Sequence, residues 1–232
     1  MNRIVIITGT RKGIGHSLCN YFLDEGDIVY GCSRRETDIR HDKYTHFILD
    51  VSDEKKVIKM VNQIFKNHRK IDILINNAGA AAMNHFFLTP FLTVQKMINT
   101  NFLGTFLMCR EVGRFMMKNK SGRIINYTTV AVPLNLEGEL VYSSSKAAVE
   151  QLTKVLAAEI GASGVTVNAV GPTPILTDLI KNVPKDKIDN LIQSQSIKRM
   201  GTFEDVLNIV KFFINPESNF VTGQIIYLGG IN

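Results

Sequence analysis

Tyr142 and Lys146 stand four residues apart in "YSSSKAAVEQLTKVLAAEIGA" (142–162), a stretch whose apolar spacing predicts a helix. On a helix, that spacing puts both side chains on one face. A tyrosine hydroxyl ordinarily ionises near pH ~10, too high for easy proton exchange at neutrality. A neighbouring ammonium favours the tyrosinate and brings that value down. The pair could therefore serve as a positioned acid/base, an arrangement typically worth ~10²–10⁴ in rate. Upstream, "INYTTVAVPLNLEGEL" (125–140) carries two more hydroxyls, Thr128 and Thr129, and Ser143, Ser144 and Ser145 follow the tyrosine directly. Taken alone, such a Tyr/Lys pair is common on solvated helices. What surrounds it decides the matter.

The N-terminal strand "RIVIIT" (3–8) runs into "TGTRKGIG" (8–15) and then into a helical stretch, "GIGHSLCNYFLDEG" (13–26), stopped by Gly26. Gly9, Gly13 and Gly15 allow a tight turn and close approach of a ligand. The helix start offers free N–H groups and positive potential to a pyrophosphate. The second strand, "DIVYGC" (27–32), ends in "CSRRE" (32–36). An acid at that place would hold the ribose hydroxyls of NAD. Ser33, Arg34 and Arg35, with Lys12 of the glycine turn, suit a 2′-phosphate instead, so the expected cofactor is NADPH/NADP+ rather than NAD. Glu36 could counter this by neutralising Arg35.

These groups need a scaffold, and the rest of the chain supplies its parts. Further strands are "THFILDV" (45–51), "IDILINNAG" (71–79), "GRIINYTT" (122–129), "GVTVNAV" (164–170) and "GQIIYLGG" (223–230). Helical spacing covers "SDEKKVIKMVNQIFKN" (52–67), with Ser52 and Asp53 as candidate caps, the long "FLTVQKMINTNFLGTFLMCREVGRFMMKN" (91–119), and "FEDVLNIVKFFIN" (203–215). Alternating strands and helices predict an α/β chain with a doubly wound parallel sheet of about seven strands and helices on both faces. Ligands then bind beyond the carboxyl ends of the strands, where all the polar motifs lie.

The ordered set T-G-x-x-x-G-x-G (8–15), "NNAG" (76–79) and Y-x-x-x-K (142–146) resembles the short-chain dehydrogenases/reductases, and the likeness covers nearly the whole chain. "LDVSD" (49–53), "NTNFLGTF" (99–106), "GVTVNAVGPTPILTD" (164–178) and "IKRMGTFEDV" (197–206) look like further family segments, most like those of 3-oxoacyl-[acyl-carrier-protein] reductases. The resemblance implies a single Rossmann-fold domain over residues 1–232. It implies that hydride reaches a carbonyl carbon as Tyr142 protonates the oxygen, with Lys146 tuning the tyrosine. It also implies a cofactor site of Gly9, Arg11, Lys12, Gly13, Ile14, Gly15, Ser33, Arg34, Arg35, Asp50, Val51, Asn77, Ala78, Gly79, Tyr142, Lys146, Pro172, Thr173, Ile175 and Thr177. Asp50 and Val51 would flank the adenine; Ile175 and Thr177 would approach the carboxamide and phosphates. The family serine that holds the substrate oxygen lies thirteen residues before the tyrosine, which here is Thr129. Threonine keeps the hydroxyl but adds a methyl and a stiffer χ1. Thr128 would face the other way on the strand. Asn101 matches the mid-helix asparagine that holds a water linking the lysine to solvent. Thr173 replaces a usual glycine near the nicotinamide.

The bulk numbers agree with this class. The chain has 232 residues and a formal charge of +6, with its basic residues scattered rather than massed as in a nucleic-acid arm. Three widely spaced cysteines exclude a disulfide framework or zinc spacing and predict no metal. No signal peptide or membrane-spanning run is expected, so the expected location is cytoplasmic and no membrane partner is foreseen. The substrate segments are expected at 79–90, 132–140 and 175–200, where Glu137 and Glu139 suit a polyhydroxylated or amine-bearing molecule better than an acyl chain. Carrier-protein reductases often have a basic residue where this chain has Ser163, so an acyl-carrier-protein partner is not favoured. The readings are an NADPH-dependent ketone reductase, a dehydrogenase of a polar alcohol, or an inactive cofactor-binding regulator. The intact Asn101, Tyr142 and Lys146 rank the last one low. The long helices carry more apolar surface than one sheet face covers, and the family pairs them between subunits, which predicts a homotetramer or dimer.

Overall fold

Ile4, Val5, Ile6, Ile7 and Thr8 are all buried, so the first strand is apolar on both faces, as a strand in the middle of a parallel sheet must be. In this computed structural model, which describes residues 2–177, 180 and 183–231, that strand, β1 (Ile4–Thr8), lies inside a seven-stranded sheet, next to its central strand. The others are β2 (Ile28–Ser33), β3 (Tyr44–Ile48), β4 (Ile73–Asn76), β5 (Gly122–Tyr127), β6 (Val165–Gly171) and β7 (Ile225–Tyr227). The order is β3-β2-β1-β4-β5-β6-β7, and every pair is parallel. The chain winds outward one way from β1 to β3 and then the other way from β4. The crevice between the carboxyl ends of β1 and β4 is therefore the switch point at which such sheets bind ligands.

Alternate side chains of β1 feed two separate cores. Ile4 and Ile6 join Met60 and Ile64 of helix α2 (Glu54–His68). Val5 and Ile7 join Leu18 and Phe22 of helix α1 (Gly13–Asp24). Gly26, at φ +84°, ends the first helix as its sequence predicts. Asp53, not Ser52, caps α2, accepting from the Lys56 N–H at 3.1 Å.

The predicted helix over 91–119 is interrupted. It consists of α3 (Phe91–Met97), a π-helical turn (Ile98–Leu103) and α4 (Gly104–Asn119). The wider turn lets Asn101 reach inward, and Gly104 follows where a Cβ would collide with Val51. Two short helices were not foreseen as elements, α5 (Ala131–Leu134) and α7 (Lys185–Ser194). Between them lies α6 (Leu140–Ile160), starting two residues before Tyr142. Helix α8 (Phe203–Ile214) covers the other face through Val206, Val210 and Phe213. Strand β5 stops at Tyr127, so Thr128 and Thr129 lie just past the strand rather than in it. No helix among the described residues is long and apolar enough to cross a membrane.

Candidate active site

Positive φ at Gly9 (+75°) turns the chain out of β1 toward α1. The turn is packed against β4: a Cβ on Gly9 would lie 2.9 Å from the Ala78 Cα, and one on Gly15 would strike the Asn77 side chain. Asn77 Nδ2 donates to the carbonyls of Thr8 (2.9 Å) and Gly9 (3.3 Å), and the Ala78 N–H donates to the Thr8 hydroxyl at 2.9 Å. Asn77 thus braces the glycine turn rather than merely forming a turn of its own. The start of α1 at Gly13, with Ile14 partly buried behind it, is left facing the crevice between exposed Arg11 and Lys12 and the chain leaving β6. There the Thr177 methyl lies 3.6 Å from where a Gly13 Cβ would be. A backbone cradle that side chains would fill, at a helix start and flanked by bases, fits the pyrophosphate of a dinucleotide.

Arg34 and Arg35 are exposed just past β2. The Ser33 hydroxyl, expected at the 2′-phosphate, has partners within the protein. It donates to the Arg35 carbonyl at 2.5 Å and lies 3.1 Å from His46 Nε2. His46 Nε2 is also 3.0 Å from that carbonyl, which places the ring proton on Nε2. Nδ1 then accepts from the Tyr44 hydroxyl at 2.8 Å, and Tyr44 is 3.0 Å from the Thr10 hydroxyl. This chain from glycine turn to basic turn was missed in the sequence, although Tyr44 and His46 alternate onto one face of β3. Asp50 is similarly engaged, accepting from the Ser52 N–H and hydroxyl at 3.0 and 2.8 Å, and Val51 is buried beneath Gly104.

Lys146 is buried on α6, and its ammonium donates to the Tyr127 carbonyl at the end of β5 at 2.8 Å. A Cβ on Gly79 would lie 3.7 Å from that nitrogen and 3.6 Å from Asn101 Oδ1, so the "NNAG" turn, the π-helical turn and α6 converge. Asn101 is fully buried. Its Oδ1 accepts from the Ala80 N–H (2.8 Å), and its Nδ2 donates to the Ala80 carbonyl (2.9 Å) and the Ser145 hydroxyl (2.8 Å). Its backbone carbonyl takes the Thr105 hydroxyl at 2.7 Å. Asn101 thus clamps the turn that carries Gly79. Ser145 donates in turn to the Tyr142 carbonyl at 2.7 Å, so it does more than pack the helix start.

Thr129 is buried, and its hydroxyl interacts with the Tyr142 phenol while accepting the Ala131 N–H at 3.2 Å. Thr128 points elsewhere and donates to the buried Glu150 carboxylate, which also takes the Tyr227 hydroxyl. The two threonines thus have different partners, although both lie past the strand on which alternation was expected to separate them. Burial pushes the Tyr142 phenol up to about 12, the Glu139 carboxylate adds to this, and Thr129 pulls it back. Burial also brings the Lys146 ammonium down to about 8. The sequence expectation was a depressed tyrosine; burial instead raises it here. Desolvation of the phenolate wins, and Lys146 is committed to the Tyr127 carbonyl. Pro172 and Ile175 line the chain beyond β6. Thr173 fits there without left-handed backbone, its side chain packed toward Gly201 and Gly229. Of the predicted substrate segment 175–200, residues 178, 179, 181 and 182 lie outside the described residues.

This geometry has close counterparts. The family model "short chain dehydrogenase" matches residues 3–188. The chain is 32% identical to the (2S)-[(R)-hydroxy(phenyl)methyl]succinyl-CoA dehydrogenase subunit BbsD of Thauera aromatica, covering 99% of this chain and 96% of that protein. It is 30% identical to the 3-oxoacyl-[acyl-carrier-protein] reductase FabG of Staphylococcus epidermidis, covering 99% and 98%. The solved structure of ElxO with NADP bound superposes with a TM-score of 0.90 at 31% identity, covering 98% and 97% of the two chains. With its glycine turn, "NNAG" turn and Tyr142/Lys146 pair set around one parallel sheet, the chain belongs to the short-chain dehydrogenase/reductase family of NAD(P)-dependent oxidoreductases.

Proposed function

We propose that the chain is an NADPH-dependent reductase that converts a ketone to a secondary alcohol. The observation that carries this is the meeting of Tyr142, Thr129 and buried Lys146 beside Gly79, at the carboxyl ends of β4 and β5. Gly9, Gly13 and Gly15 hold the pyrophosphate, with Asn77 and Ala78 fixing the turn, and Arg34 and Arg35 with Lys12 meet the 2′-phosphate. The cofactor supplies the hydride when bound. Thr129 orients the substrate oxygen, and Tyr142, protonated at neutral pH, gives its proton to that oxygen. Lys146 keeps the helix face docked on β5 and offers positive charge as the tyrosinate forms. Asn101 holds the turn that carries Gly79.

The relatives named as a 3-oxoacyl reductase and a succinyl-CoA dehydrogenase support a 3-oxoacyl-like ketone. A second reading, a polar alcohol or hydroxyketone, is favoured by Glu139 beside Tyr142. We take residues 1–232 as one working domain, cytoplasmic, and assembled as a homotetramer or dimer through the exposed Leu103, Phe106, Met117 and Val155 of the paired long helices. Titration of the purified protein with NADPH and NADH tests the cofactor reading. Tighter NADPH binding that Arg34→Ala abolishes is expected. NADH binding at least as tight overturns the role of Arg34. Oxidation of NADPH across a carbonyl panel tests the reaction, and no turnover of any member contradicts it.

A further inference from the structure

Glu139 immediately precedes α6 and lies three residues before Tyr142, so the two side chains leave the same face of the helix start. Three segments close around it. The Asn84 N–H donates to the Gly138 carbonyl at 3.0 Å, joining the 79–90 loop to the 132–140 loop. Gly138, at φ +83°, sits where a Cβ would lie 3.1 Å from Met83 and 3.8 Å from the Lys187 ammonium of α7. In this junction one carboxylate oxygen of Glu139, Oε2, is buried without a hydrogen-bond partner among the described residues. A carboxylate oxygen removed from water and left unpaired is costly, and such an atom beside a catalytic group calls for a ligand donor. Burial raises the Glu139 carboxyl while Lys187 draws it back, and its charge reaches the Tyr142 phenol.

We propose that Glu139 determines substrate specificity: its unpaired oxygen accepts a hydrogen bond from a hydroxyl carried one or two carbons from the reacting carbonyl. The short reach follows from the closeness of the two groups, near enough for the Glu139 charge to raise the Tyr142 phenol. A neutral hydroxyl fits better than an ammonium because Lys187 already supplies a positive charge beside the carboxylate. The inference rests on the reading of the site as a carbonyl reductase. It narrows that substrate to a hydroxyketone and makes a plain 3-oxoacyl chain the poorer fit.

The test compares kcat/KM with NADPH for 2-butanone, 3-hydroxy-2-butanone, 4-hydroxy-2-butanone and 4-amino-2-butanone, in wild type, Glu139→Ala and Glu139→Gln. Wild type should prefer at least one hydroxyketone over 2-butanone by about tenfold to a hundredfold, the range of a buried hydrogen bond made or left unmade. The aminoketone should fall below that hydroxyketone. Glu139→Ala should shrink the preference to about twofold or less, and Glu139→Gln, which keeps an acceptor oxygen, should retain part of it. Because the readout is a ratio within one protein, a general loss of activity does not imitate the result, and the glutamine variant serves if the alanine variant fails to fold. Equal use of 2-butanone and both hydroxyketones by wild type, preference for the aminoketone, or an undiminished preference in either folded variant overturns the proposal while leaving the reductase reading intact. Reduction of none of the four by a wild type that turns over another carbonyl overturns the proposal alone; turnover of no carbonyl at all overturns both.

Discussion

At the scale of single residues, the site is governed by which charge is left dry. Tyr142 must carry a proton to give one, and a phenol raised to about 12 carries it throughout the neutral range. Ketone reduction should therefore hold its rate through the neutral range and fall as pH rises, first through the Lys146 value near 8, where the charge that steadies the tyrosinate is lost, and then through the tyrosine's. Alcohol oxidation, which needs the tyrosinate, should climb with pH over the same range. Glu139→Gln removes a negative charge that opposes the phenolate, so it should move both limbs to lower pH. Thr129→Val removes a partner that favours the phenolate and should move them higher; pH profiles of kcat/KM in the two directions check both signs. Thr129→Ser should keep or raise turnover, since the hydroxyl is retained and only a methyl is lost. Thr129→Ala should nearly abolish turnover in steady-state assays, and full activity there would remove Thr129 from the site.

Among the elements, the π-helical turn at Ile98–Leu103 does the most to assemble the site, because it delivers Asn101 to both polar groups of Ala80 and to Ser145. Asn101→Ala leaves buried backbone groups unpaired and should cost about 3 kcal/mol, read as a lower urea midpoint with an unchanged slope. The strands and most helices were legible in the sequence. Runs such as Ile4–Ile7 are apolar without a break, and α2 and α8 have apolar residues at helical spacing. The Tyr142/Lys146 pair and the glycine turn were legible because each is local in sequence. The π-helical turn was not, since over a single turn its apolar spacing does not differ from that of an α-helix. The clamp of Asn101 on Ala80 spans 21 residues, and the Tyr44–His46–Ser33 chain depends on how β2 and β3 register. The rise in Tyr142 was illegible for a related reason. Sequence spacing shows the neighbouring ammonium but not how deeply both groups are buried.

For the whole molecule, the sheet order places the β1–β4 switch point beside the carboxyl end of β5, so the glycine turn and Tyr142 lie at the same end of the sheet. The same arrangement leaves Leu103 and Phe106 uncovered at the start of α4 and Val155 uncovered on α6. These apolar side chains should be buried between copies of the chain. Sedimentation should give a dimer or tetramer at micromolar concentration, and Phe106→Glu should shift it toward monomer. The account as a whole stands on hydride transfer coupled to proton donation from Tyr142. Its most direct test is reduction of a turned-over ketone with NADPH deuterated at the transferring position, with wild type and Tyr142→Phe compared. The account predicts deuterium on the carbinol carbon of the product, turnover reduced about 10²–10⁴-fold in the variant, and NADPH affinity within about twofold of wild type. Product without deuterium, or undiminished turnover in a folded Tyr142→Phe protein that binds NADPH, would contradict it.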